Sequence, residues 1–189
     1  YSYSEDLQIL ALITGNRRDT VISFRGTVVN NFLNWNVDLK VWLTKFKKSV
    51  SVHKGFHEAL ESVWQQIKQY LSEHKNQRLW LTGHSLGAAL AILAGARICH
   101  EFESKNKKPV SGIYVFGAPR VGDKEFQIFF DSRLKDRCFT FSNFNDLVTV
   151  VPPYIKKIME YANVGNIIVF EKSGDLKIRE YLSYFETVK

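Results

Sequence analysis

The chain has 189 residues, a length that suits one domain and is short for two. Hydrophobic residues make up 45% and charged residues 24%, with only 4 prolines, which excludes a disordered, collagen-like or repeat protein. The net charge of +7 is spread along the chain with no base-stacking or recognition motif beside it, so no nucleic-acid partner is expected. The 5 histidines, His53, His57, His74, His84 and His100, all lie in the first 100 residues. Cys99 and Cys138 sit in apolar stretches and read as two buried thiols, with a single disulfide as the alternative. No signal-like segment opens the chain, and no apolar run approaches the roughly 20 residues of a bilayer span, so a soluble chain of unassigned compartment is expected. The start lacks Met, which leaves room for a segment removed ahead of Tyr1.

In chain order, short β-rich runs alternate with helical patterns, the signature of an α/β fold. Leu7–Thr14 and Thr20–Phe24 read as strands joined through Gly15-Asn16, a hairpin signal. From Phe56 the apolar positions Ala59, Leu60, Val63, Trp64, Ile67, Tyr70 and Leu71 recur every three or four residues, which predicts an amphipathic helix. Arg78–Thr82 is an apolar strand, followed by a turn at Gly83-His84-Ser85. Leu86–Ile98 is apolar nearly all round, a helix expected to be buried on most sides. Gly112–Phe116 is the next strand and Asp123–Leu134 the next helix, with Phe126, Phe129 and Phe130 inward. Arg137–Ser142 and Asn166–Phe170 complete the strands, and Ile178–Phe185 reads as a last helix. No repeat, low-complexity tract or linker interrupts residues 1–189, so one domain is expected.

The first chemical signal is Gly83-His-Ser-Leu-Gly87, a Gly-x-Ser-x-Gly set between an apolar strand and an apolar helix. A serine on such a strand-to-helix turn is held in a strained conformation, and the flanking glycines leave room for it. The helix N-terminus behind it offers unpaired N–H groups and a positive dipole end to a developing oxyanion. The pattern alone is common; its context makes Ser85 a candidate nucleophile, against the plain reading of a tight turn with an idle serine.

Six segments then follow in order: Phe24-Arg-Gly-Thr27, Asn34-Trp-Asn-Val-Asp-Leu39, Val52-His-Lys-Gly-Phe56, Gly83-His-Ser-Leu-Gly87, Val115-Phe-Gly-Ala-Pro-Arg-Val-Gly122 and Asn145-Asp-Leu-Val-Thr-Val-Val-Pro-Pro153. With them the chain resembles the class 3 lipases, the fungal-lipase-like branch of the α/β hydrolases, from about Val21 to Phe185. The resemblance implies an α/β-hydrolase fold, a central and mostly parallel sheet flanked by helices. It also implies a carboxylic-ester hydrolase of the lipase type, acting on lipid esters without metal or organic cofactor. Thr27 would give one oxyanion donor and the N–H of Leu86 the other; the plain alternative for Thr27 is a strand-end hydroxyl bonding its own loop. Asp146 would be the acid that orients a catalytic imidazolium, or else an Asx-turn aspartate.

His84 is expected to point back into the fold as a structural residue. His53 and His57 are expected to pack or be solvated at the start of the amphipathic helix. Arg25 and Asp38 fit a buried or semi-buried polar network shaping the oxyanion loop. Residues 28–35 sit where the family carries its lid and read either as a lid over an acyl cleft or as an ordinary buried helix. Lys45, Lys47 and Lys48 beside them suit contact with a membrane or lipid droplet, and equally a solvated edge strand.

The triad order in this fold is Ser, Asp, His, and no His follows Asp146. A serine hydroxyl needs a general base within reach. Either Glu180-Tyr-Leu-Ser-Tyr-Phe185 stands for the family's Asp-His-Leu-Ser-Tyr-Phe, with Tyr181 in place of the base, or the domain continues past Lys189 to a His beyond it. A phenol is a poor base near neutral pH. The first option makes the chain a lipase-like binding or scaffold protein without turnover; the second makes it an esterase whose domain is truncated at the C-terminus.

Overall fold

The computed structural model describes residues 2–4, 9–26, 42–102, 109–144, 146–152, 154–155 and 159–179. Thr27, residues 28–35, Asp38 and Tyr181 lie outside them.

Among the described residues, eight strands form the main sheet, in the order β1-β2-β3-β6-β7-β8-β11-β12. They are β1 (Ser2–Ser4), β2 (Ile9–Gly15), β3 (Asp19–Phe24), β6 (Arg78–His84), β7 (Gly112–Phe116), β8 (Cys138–Asn143), β11 (Asn166–Phe170) and β12 (Leu176–Arg179). The five central strands, β3, β6, β7, β8 and β11, run parallel, and antiparallel pairs close both edges. The hairpin from β2 to β3 turns where Gly15-Asn16 places it, with the Asn16 side chain accepting the N–H groups of Arg18 and Asp19. Two smaller antiparallel pairs stand apart, β4 (Leu43–Lys47) with β5 (Val50–His53), and β9 (Tyr154–Ile155) with β10 (Met159–Glu160).

Period-two alternation decides which face of the sheet is covered. Ile22 and Phe24, Leu79 and Leu81, Ile113 and Val115, Cys138 and Thr140, and Ile167 and Val169 are all buried. Against that face lies α2 (Leu86–Phe102), in contact with β3, β6 and β7. It is buried without a break from Leu86 to Ala96, as its all-round apolar sequence requires. Helix α1 (Lys54–Glu73) packs beside it with one stripe from Phe56 to Ile67, and α3 (Lys124–Leu134) buries Phe126, Phe129 and Phe130. Asp123 begins α3 by accepting the Phe126 N–H at 2.7 Å, which stops the helix one residue short of the predicted start. On the other face Tyr114 stacks on Phe139 and Phe116 on Phe141, with ring centroids 5.4 and 5.3 Å apart.

Two sequence expectations are corrected here. The helix expected over Ile178–Phe185 does not open at Ile178, since Leu176–Arg179 is an edge strand whose Ile178 pairs with Ile168 of β11; residues 180–185 lie outside the described residues. Four residues carry too little pattern to separate the two periods, and the neighbouring strand decides. The three lysines near β4 are also not alike. Lys45 and Lys48 are exposed, while the Lys47 ammonium lies 4.2 Å over the Phe129 ring and is half-buried. Cys99 and Cys138 are both buried thiols, as read from the sequence, and burial pushes the Cys138 thiol up.

Candidate active site

Strand β6 reaches the C-terminal edge of the sheet at its centre, and α2 starts two residues after the strand ends. Ser85 alone makes the turn, narrower than the three-residue turn predicted. Its φ of 55° is the one positive value on a non-glycine residue among the described residues. Such a conformation costs on the order of 1 kcal/mol and persists only where the surroundings enforce it. They do so here: the Ser85 N–H donates to Phe116 O at 3.0 Å, and its carbonyl accepts from Ala88 and Ala89 at 3.0 and 3.2 Å. The glycines on either side permit the crowding. A Cβ on Gly83 would lie 2.3 Å from the Gly87 carbonyl, and one on Gly87 would lie 2.1 Å from Phe24 O.

The oxyanion side is partly in view. Leu86 is the first residue of α2, its side chain is buried in the core, and its N–H belongs to the first turn, where helices leave donors without ladder partners. The chain leaving β3 passes beside the serine: a Cβ on Gly26 would lie 3.8 Å from Ser85 Cβ. Thr27 is the next residue.

Asp146 follows β8, at the same C-terminal edge of the sheet. Its N–H donates to Asn143 O at 3.0 Å, and its Oδ1 accepts the Val148 N–H at 3.0 Å, which starts a 3-10 turn over Leu147–Val150. The Asx-turn geometry weighed as the plain alternative for Asp146 is therefore present. The carboxyl is half-buried, and burial raises its pKa, opposed by the Val148 hydrogen bond and by the His84 imidazole. Gly117, with φ +55°, lies between them: a Cβ there would stand 2.8 Å from Asp146 Oδ2 and 3.5 Å from His84 Nε2.

His84 thus departs from the sequence expectation. It is exposed and faces Asp146, because β6 runs on through residue 84 and alternation turns Leu79, Leu81 and Gly83 inward and His84 outward. Arg25 is exposed as well, not part of a buried network, and Asp38 lies outside the described residues. His53 is buried, as a packing residue should be. It stacks on Phe56 and caps α1 by accepting the Phe56 N–H at Nδ1. His57 is half-buried and lies 3.7 Å from Glu61.

Sequence reasoning gives no role to Gly117, Arg120 or Asn163. The Arg120 guanidinium, 7% exposed, donates from Nη1 to Pro152 O at 3.2 Å and from Nε to Asn163 Oδ1 at 3.3 Å. Asn163 Nδ2 donates to Thr149 O at 3.2 Å, and Thr149 Oγ1 to Asp146 O at 2.7 Å. The available signal was Gly117-Ala-Pro-Arg120 directly after a strand on the catalytic edge.

Residues 21–156 match the family described as Lipase (class 3). The chain belongs to the class 3 lipase family. Among similar proteins, the triacylglycerol lipase OBL1 of Arabidopsis thaliana is 38% identical over 108 residues, covering 56% of this chain and 21% of that protein. Phospholipase A1-II 1 of Oryza sativa subsp. indica is 33% identical over 188 residues, covering 85% of this chain and 46% of that protein. The chain therefore spans less than half the length of these curated relatives. Lipase II from Rhizopus niveus superimposes with a TM-score of 0.79 at 23% identity, over 98% of this chain and 72% of that one. The fold is the α/β-hydrolase fold of the fungal lipases, as the sequence implied. No described helix is long and apolar enough to cross a membrane.

Proposed function

We propose that the protein is a serine carboxylic-ester hydrolase that cleaves acyl esters of lipids through Ser85. The single observation that carries the reading is the strained backbone of Ser85 at the N-terminus of a buried helix, with Asp146 on the next strand edge but one. In this scheme Ser85 Oγ gives its proton to an imidazole as it attacks the acyl carbonyl, and the N–H groups of Leu86 and Thr27 receive the oxyanion. The alcohol leaves with a proton delivered by an imidazolium, which Asp146 orients and stabilises. Water, deprotonated by the same imidazole, then releases the acid and restores the serine. No His follows Asp146 within the 189 residues, so the scheme takes its imidazole from outside them. The short span of the chain within its relatives supports this, and so does membership of the class 3 lipase family.

One relative is named for triacylglycerol and the other as a phospholipase, which supports a glycerolipid substrate met at a lipid surface. Emulsified triacylglycerol, phosphatidylcholine vesicles and a water-soluble p-nitrophenyl ester, each offered to the complete encoded protein and to its Ser85→Ala variant, test the reading. Hydrolysis of a lipid ester that Ser85→Ala abolishes is expected. Lipid binding without hydrolysis, unchanged in Ser85→Ala, would make the protein a lipase-like binding protein instead.

A further inference from the structure

The turn that carries Asp146 is held from a different part of the chain. Its near end hangs from β8 through the Asp146 N–H. Its far end is gripped by Arg120 twice: the backbone N–H donates to Val151 O at 2.8 Å, and the guanidinium Nη1 to Pro152 O at 3.2 Å. A third carbonyl, that of Thr149, is reached through Asn163, which accepts from Arg120 Nε. Thr149 closes the path by donating its hydroxyl to the Asp146 carbonyl.

The clamp itself has a firm footing. On one side of residues 117–123, His53 N–H donates to Val121 O at 2.8 Å and Asp123 N–H to Ser51 O at 3.0 Å. On the other, Ala162 N–H donates to Gly122 O at 3.0 Å, next to Asn163. The same segment begins with Gly117, against which the Asp146 carboxyl rests. A planar guanidinium suits this task because its donors leave in fixed directions toward separate acceptors.

We propose that Arg120 is a positioning residue for catalysis, setting the place of the Asp146 carboxyl by clamping the turn that bears it. The inference rests on the reading of Ser85 and Asp146 as nucleophile and acid. A displaced carboxylate would serve its imidazolium badly, so the rate of the chemical step should fall while substrate binding stays. The imidazolium would also lose its nearest anion and give up its proton at lower pH.

The test is steady-state hydrolysis of a soluble p-nitrophenyl ester by the complete encoded protein and by its Arg120→Gln, Arg120→Lys and Asn163→Ala variants, with rates normalised to phosphonate-titrated sites. Arg120→Gln should lower kcat roughly 10- to 100-fold, the scale of a small misplacement of a catalytic group. KM should stay within about twofold. The acidic limb of kcat/KM should move to lower pH, and Arg120→Lys, which keeps the charge and a donor for Pro152 O, should recover part of kcat. Unchanged kcat per titrated site with the acidic limb in place would overturn the proposal, even if the variant melted earlier. Should Arg120→Gln fail to fold, Asn163→Ala removes one arm of the same clamp, and an unmoved limb there overturns the proposal equally. A wild-type chain that neither hydrolyses ester nor reacts at Ser85 overturns the underlying reading and the clamp with it; an active wild type beside an unaltered Arg120→Gln overturns the clamp alone.

Discussion

The carboxyl of Asp146 rests on the bare Cα of Gly117: a Cβ at that position would lie 2.8 Å from Oδ2. Gly117 also has φ +55° and donates its N–H to Phe141 O at 2.8 Å, so the backbone of one strand end forms the seat for the acid of the next. Gly117→Ala is therefore expected to strain the backbone by about 1–2 kcal/mol and to push the carboxyl aside. On the account given, kcat falls roughly 10- to 100-fold with KM little changed. Steady-state kinetics together with a melting curve check this, and a destabilised variant with unaltered kcat would contradict it.

Around Ser85 the crowding is backbone against backbone. A methyl on Gly87 would stand 2.1 Å from the Phe24 carbonyl oxygen, with no flexible side chain to give way. Gly87→Ala should lower stability by about 1–3 kcal/mol, the range of overpacked cores, and should also suppress reaction of Ser85 with a phosphonate. Denaturant unfolding and labelling, measured on one preparation, separate the two effects. Wild-type stability in Gly87→Ala would show that α2 does not sit on β3 as described.

His53 makes stability depend on pH. It is 2% exposed, and burial lowers its pKa to about 4. The unfolded chain takes up this proton near the ordinary value of about 6.5, whereas the native chain refuses it until about 4. Stability is therefore full above the unfolded value, is lost as pH falls toward 4, and levels off below that. The loss amounts to about 3 kcal/mol. Asp146, Asp123 and Asp131, whose pKa values burial raises, act in the opposite direction, so the wild type alone does not isolate the effect. His53→Asn keeps an acceptor at the helix cap and removes the titration. Urea unfolding at pH 7.5 and pH 4 should show a smaller acid loss in the variant; equal losses would contradict the assignment.

Much of the fold was legible because its elements repeat strongly enough to declare their period. Gly112–Phe116 and Asn166–Phe170 are strands with the predicted bounds, and α2 is buried at every residue from Leu86 to Ala96. The Ser85 turn could be read because glycine spacing, strand and helix agree at one place. Where only four residues spoke, at Leu176–Arg179, pairing with β11 outweighed the local pattern. His84 was misdirected by ending β6 two residues early, which hides the alternation that turns it outward beside Asp146. Beyond the Gly117-Ala-Pro-Arg120 run, nothing local marks Arg120 or Asn163, since the carbonyls they bind lie 32 and 14 residues away along the chain.

The most direct test of the account is covalent. The complete encoded protein, folded, is treated with a fluorophosphonate and the adduct is located by peptide mass spectrometry. The account predicts one phosphonylated residue, Ser85, no adduct in Ser85→Ala, and much slower labelling in Asp146→Asn of unchanged fold. A folded wild-type chain with no adduct on Ser85, or lipid-ester hydrolysis that survives Ser85→Ala, would contradict it.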